Sequence, residues 1–150
     1  MAEHTIKAFD EEIDRLRGLI AEMGGRAEAA IESAMTALQR QDLALAAQVV
    51  ADDKRIDAIE AEVEKLVIQV IALRAPMAND LRDVIAALKI VGVVERIGDY
   101  AKNIAKRVPL IMVNQRTLEP VSLLPSMGQV ASEMVHDVLN AFAARDPDLA

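Results

Sequence analysis

The chain has 150 residues, is 53% hydrophobic, carries a formal net charge of −7 and holds no cysteine. That length supports one domain with a real core rather than two, and a pI near 4.8 argues against nucleic acid as the main partner, since phosphate backbones demand Lys and Arg. Without Cys there are no disulfides, thiolate metal sites or cysteine nucleophiles, a pattern that fits a reducing compartment.

Abundant Ala, Leu, Ile and Val, with one Tyr, two Phe and no Trp, points to a helical bundle with a small-residue core. Met1 to Glu12 is polar and mixed in charge, without the apolar region of a signal peptide. The most apolar stretches, Val63–Leu73 and Val84–Val94, fall short of the ~18–20 residues a membrane span needs, and Lys89 interrupts the second. The expectation is a soluble, cytoplasmic protein with no membrane span, peripheral association remaining open.

In the first helix, Phe9, Ile13, Leu16, Ile20, Met23, Ala27, Ala30, Ala34 and Leu38 recur at steps of three and four, the mark of one buried face. Gly24-Gly25 predicts a bend or local weakness inside it. Asp42 is placed to cap the next helix. That second helix puts Ala46, Val49, Ile56, Ile59, Val63, Leu66, Val70 and Leu73 on its seam, with Asp53 where an apolar residue is due and Asp57 beside it. It should end at Arg74-Ala75, because the residue before a proline disfavours the α region. Pro76 can then open the third helix at its first position.

The third helix repeats the pattern with Leu81, Val84, Leu88, Val91, Gly98, Lys102 and Ala105, and Glu95 breaks the seam with Asp99 beside it. Counting outward from Pro76, Asp57 and Glu95 are each 19 residues away and Asp53 and Asp99 each 23. Two helices folded back on each other rise at the same rate, so the two acidic pairs stand at equal heights. Prolines 109, 120 and 125 with Asn114 and Gln115 predict a linker from Val108 to Leu124, followed by a fourth helix from near Ser126 to Ala144. Shifted by 104 residues, that helix matches the first at 7 of 24 positions, Met23-Gly24 against Met127-Gly128 among them, which suggests a duplicated helical module.

An acid followed four residues later by Asp occurs four times, at Asp10/Asp14, Asp53/Asp57, Glu95/Asp99 and Glu133/Asp137. With so many acids roughly two such cases arise by chance, and the outer two read as solvated helix faces. The central pairs differ because they interrupt apolar seams. Four carboxylates facing one another raise each other's pKa unless something neutralises them. A hard cation would do so, whether Mg²⁺, Ca²⁺, Mn²⁺ or iron; so would salt bridges to Arg55, Arg96 or Lys102 without any metal. His4 and His136 read as surface residues far from this hairpin. The single Glu-x-x-His run, Glu133 to His136, lies far from the hairpin and has no second copy to pair with, and no Gly-rich phosphate loop or serine-nucleophile motif is present, so the residues favour a protein that is not an enzyme.

The run Ala72-Leu73-Arg74-Ala75-Pro76-Met77-Ala78-Asn79-Asp80-Leu81-Arg82 resembles the inter-helix turn of the PhoU family of phosphate-uptake regulators. Glu95-Arg96-Ile97-Gly98-Asp99, continuing to Asn103-Ile104-Ala105, resembles that family's acidic signature, and the opening Phe9-Asp10-Glu11-Glu12 and the repeat are similar too. The resemblance implies an all-α fold of two similar three-helix bundles whose acidic motifs bind iron or other metals. By position the ligands here would be Asp53, Asp57, Glu95 and Asp99, for a divalent or trivalent metal such as iron, Mn or Mg. It also implies a dimeric cytoplasmic protein that acts with the phosphate ABC transporter ATPase and a phosphate-sensing histidine kinase, restraining phosphate-starvation signalling when phosphate is plentiful.

The expected division is an antiparallel three-helix bundle over 1–108, a linker over 109–125, and over 126–150 the first helix of a truncated second bundle. Helix four carries an apolar face (Val130, Met134, Val135, Val138, Leu139, Phe142) that must be buried on the first three helices or on another copy, which predicts a homo-oligomer. The leading functional reading is a metal-binding helical adaptor. The alternatives are a carboxylate-metal enzyme acting on phosphate compounds and a passive helical scaffold.

Overall fold

The computed structural model describes residues 2–113 and 123–149, with side chains from residue 8 onward except that of residue 147. Four helices account for nearly all of it: α1 (Ala2–Arg40), α2 (Leu43–Arg74), α3 (Asn79–Val113) and α4 (Leu124–Ala144), followed by a short 3₁₀ turn at Pro147–Leu149. No strand occurs among the described residues, and none of their helices is long and apolar enough to cross a membrane.

Tight connections make α1, α2 and α3 an antiparallel bundle. Asp42 caps α2, its carboxylate accepting from Leu45 N at 2.9 Å, which satisfies one of the donors a helix start leaves free. At the other end Ala75 adopts the left-handed conformation (φ 47°) and its N–H reaches Ile71 O at 3.2 Å, closing α2 where the proline forbids continuation. Pro76 does not open the next helix. α3 begins at Asn79, because Ala78 also turns left-handed (φ 50°) and reorients the chain first.

The core runs in two stretches along the bundle. One gathers Leu16, Ile20, Met23 and Ala27 with Ile56, Ile59, Val63, Val67 and Val70 and with Val84, Val91 and Val94. The other joins Ile31, Ala34 and Met35 with Val49, Ala101, Ala105 and Val108, and takes in Val135 of α4. The expected seams hold through the middle of each helix. Leu73 and Leu81 depart from them: both are exposed, flanking the connection where the two helices end.

Two further expectations give way. α1 runs without interruption through Gly24-Gly25; Gly24 is a site of close approach, since a Cβ there would lie 2.1 Å from Leu139 Cδ1 of α4. The predicted linker start also moves, since α3 continues through Pro109 to Val113. A proline forfeits one helical hydrogen bond, but only one further turn follows, and Val108 and Met112 hold that turn against the core. Asn114, Gln115 and Pro120 lie outside the described residues.

α4 starts at Leu124 with Pro125 in its first turn and packs antiparallel on α1. Val135, Leu139 and Phe142 face the bundle, whereas Val130, Met134 and Val138 of the expected apolar face are at least half exposed. A helix resting on one neighbour buries one narrow stripe, and the second stripe stays in solvent.

Candidate acidic site on the second and third helices

The acidic site owes its geometry to Gly98. A Cβ there would lie 2.8 Å from Ile56 Cδ1 and 3.7 Å from Asp53 Oδ1, so glycine lets α3 approach α2 closely enough for their charged groups to meet. Asp53 stands opposite Gly98, and Glu60 opposite Gly92, where a Cβ would lie 3.7 Å from Glu60 Oε1. The heights match as the count from Pro76 predicted.

Asp53 is 5% exposed on the seam of α2. A buried carboxylate must be paired or neutralised, and the Lys102 ammonium of α3 binds it directly. The same ammonium reaches Asp99 Oδ1 at 2.5 Å. Lys102 is held well above the ordinary ammonium range, first by Asp53 and then by Asp99, while its contact keeps the Asp99 carboxyl below the usual aspartate range. Of the three cations named from sequence, Lys102 makes this bridge. Arg55 turns away to Glu22 of α1 at 3.1 Å.

Glu95 and Glu60 are pushed the other way. Burial raises Glu95 above the usual glutamate range, and repulsion from Asp99, Asp57 and Asp53 adds to it. For Glu60, burial comes first, followed by Glu95, Glu64 and Asp57. The structure thus brings Asp53, Asp57, Glu95 and Asp99 onto one face with more negative charge than Lys102 neutralises. Glu60 joins them unforeseen; its spacing of three residues from Asp57 was the readable signal.

The donor set is all hard oxygen, suited to Mg²⁺, Mn²⁺, Ca²⁺ or iron. In this arrangement no three of these side chains close on a single point among the described residues. An apolar groove of about 620 Å³ lies elsewhere, between α1, α3 and α4, and is lined by Ile13, Leu16, Ile20, Ile90 and Phe142.

Comparison with known proteins is decisive for the family. The PhoU domain matches residues 20–108, which takes in both acidic pairs and the turn between them. The chain belongs to the PhoU family. The phosphate-specific transport system accessory protein PhoU homolog of Zymomonas mobilis is 56% identical over 98% of this chain and 62% of its own length. The homolog from Caulobacter vibrioides is 40% identical over 97% of this chain and 64% of its own. The crystal structure of PhoU from Pseudomonas aeruginosa superposes with a TM-score of 0.90 at 33% identity, covering 94% of this chain and 68% of that one. The chain therefore spans a little under two thirds of the length of these two sequence relatives. The all-α architecture read from the sequence is the PhoU architecture, over the part of it that this chain represents.

Proposed function

We propose that this chain is a regulatory adaptor of phosphate uptake rather than an enzyme, and that the acidic face of α2 and α3 is its working surface. Membership of the PhoU family, whose Zymomonas and Caulobacter members are named accessory proteins of phosphate-specific transport, carries the reading. The partners are the phosphate ABC transporter ATPase and a phosphate-sensing histidine kinase, and the effect is to restrain phosphate-starvation signalling when phosphate is abundant. An exposed face with unneutralised carboxylates is suited to basic patches on such partners.

In the same reading Asp53, Asp57, Glu95 and Asp99 hold a hard cation, iron, Mn²⁺ or Mg²⁺, when Lys102 swings out from between Asp53 and Asp99. The excess negative charge registered by Glu95 and Glu60 supports it, since a bound cation removes that repulsion. α4 acts as the first helix of a second module, and the protein works as a homodimer or larger assembly in the cytoplasm.

The test is a bacterium deleted for its own PhoU homologue and carrying a phosphatase reporter of phosphate starvation. Expressing the chain in phosphate-rich medium should lower the reporter, and Asp57→Ala with Glu95→Ala and Asp99→Ala should abolish that effect. A chain that leaves the reporter untouched overturns the adaptor reading. Elemental analysis of the purified chain against Glu95→Ala with Asp99→Ala tests the metal separately: equal metal content in both removes it.

A further inference from the structure

The internal repeat and the contact between α1 and α4 fit each other in a way the phosphate role does not use. With the shift of 104 residues, Gly24 corresponds to Gly128, Met35 to Leu139, Glu28 to Ser132 and Glu32 to His136. In the interface, a Cβ on Gly24 would lie 2.1 Å from Leu139 Cδ1, and a Cβ on Gly128 would lie 2.5 Å from Met35 Cγ. Each helix places a glycine beneath a large side chain of the other. Replacing every residue by its repeat counterpart turns the first contact into the second.

The polar contacts obey the same exchange. His136 Nδ1 lies 3.3 Å from Glu28 Oε1, and Ser132 Oγ donates to Glu32 Oε1 at 3.4 Å. Ile31 and its counterpart Val135 are both buried in the same cluster. The two helices therefore meet about a local two-fold axis, and in shape α4 occupies the place of a second α1.

Charge breaks that symmetry. Both central positions of α1 are glutamates, whereas their counterparts on α4 are Ser132 and His136. An α1-to-α1 pairing of this geometry would crowd four carboxylates around the axis, while α4 meets them with a hydroxyl and an imidazole. The other ionisable groups of α4 bordering this spot, Glu133 and Asp137, are acidic as well. We propose that Glu28 and Glu32 are the specificity element of this docking face. They admit a helix with a neutral or basic centre, which is α4, and reject a helix with α1's own centre, such as the α1 of a second copy. Shape alone permits both pairings; the central charges choose between them.

The experiment presents α1 with its own centre. Ser132→Glu with His136→Glu, made in the full chain, leaves Gly128 and Leu139 in place and gives α4 the residues α1 carries. In hydrogen–deuterium exchange at low salt, amides of residues 124–144 should exchange about tenfold or more faster than in the parent chain. Amides of α2 should be unchanged, which shows that the variant is folded. Ser132 is 4% exposed, so the isosteric neutral pair Ser132→Gln with His136→Gln shares any steric cost of the larger side chains and should exchange at least about fivefold more slowly than the glutamate variant. Adding Glu28→Lys and Glu32→Lys to the glutamate variant should restore protection through inverted ion pairs. Unchanged protection in the glutamate variant overturns the proposal. So does equal loss in the glutamine variant, or failure of the lysines to restore, since either assigns the effect to packing rather than charge.

Discussion

Two helix pairs in this molecule use the same device for different ends. In both, a glycine lets a large aliphatic side chain of the facing helix come close: Gly98 beneath Ile56 in the α2–α3 pair, Gly24 beneath Leu139 in the α1–α4 pair. In the α2–α3 pair the close approach lies deep in the bundle and carries a buried charge with it, so Asp53 requires Lys102. In the α1–α4 pair the buried polar group is the uncharged Ser132, and the ionisable contact, Glu28–His136, lies at the edge, 28% and 56% exposed. The lesson is that burial, not contact distance, sets what a polar pair is worth. It also separates a pair that holds the bundle together from one that selects among partners.

The largest way to break this contrast is Lys102→Met. It leaves the buried Asp53 without its ammonium and should cost about 3 kcal/mol of stability in urea unfolding. Replacing the edge pair by His136→Gln should cost less than about 0.5 kcal/mol. Equal effects would mean that the acidic seam is more solvated than its burial indicates.

Next in size are the glycines. Gly98→Val forces Ile56 and the α2–α3 spacing to adjust and should destabilise the whole bundle by about 2 kcal/mol. Gly24→Val instead meets the end of Leu139, so it should expose the amides of α4 to exchange while the urea midpoint of the remaining bundle moves little. A global loss from Gly24→Val comparable to that from Gly98→Val would erase the distinction between the two interfaces.

The smallest effects are electrostatic. Glu95 and Glu60 titrate above their ordinary value of 4.5, so the folded chain binds their protons more tightly than the unfolded chain does. Their repulsion is relieved as pH falls through their folded pKa values, and stability rises there. Asp99 has the opposite sign: its pairing with Lys102 contributes fully above the ordinary aspartate value of 3.8 and is lost as pH falls through its lowered folded pKa. Stability should therefore climb on acidification from neutrality toward about pH 5 and climb less in Glu95→Gln. In the same variant, carboxyl NMR should show the Glu60 pKa moving down toward 4.5. An unmoved Glu60 would mean that burial alone raises it.

Much of this was legible in the chain. The seam positions of α2 predicted its buried face through Val70, Asp42 announced its start and Pro76 its end, because caps and prolines act within a few residues. The matched heights of the acidic pairs followed from helical rise alone. Other features were not legible. Pro109 reads as a break, and only the packing of Val108 and Met112 carries α3 past it. Gly24-Gly25 reads as a weakness because a sequence does not show which helix will lie across it. Glu60 belongs to no seam, and its spacing of three residues from Asp57 becomes informative only once the fold brings Glu95 near it.

By itself, then, the sequence determined what depends on neighbours along the chain. That covers the helices, their ends, the apolar stripe of each, the register of the hairpin and the family to which its motifs belong. Tertiary structure decided which of several cations reaches the acids, since Arg55 is drawn to Glu22 and only Lys102 is held where Asp53 and Asp99 meet. It also decided which face of α4 is covered. A helix carries two apolar stripes at no local cost, and the neighbour that packs against it, here α1 with its glycine and its two glutamates, selects one.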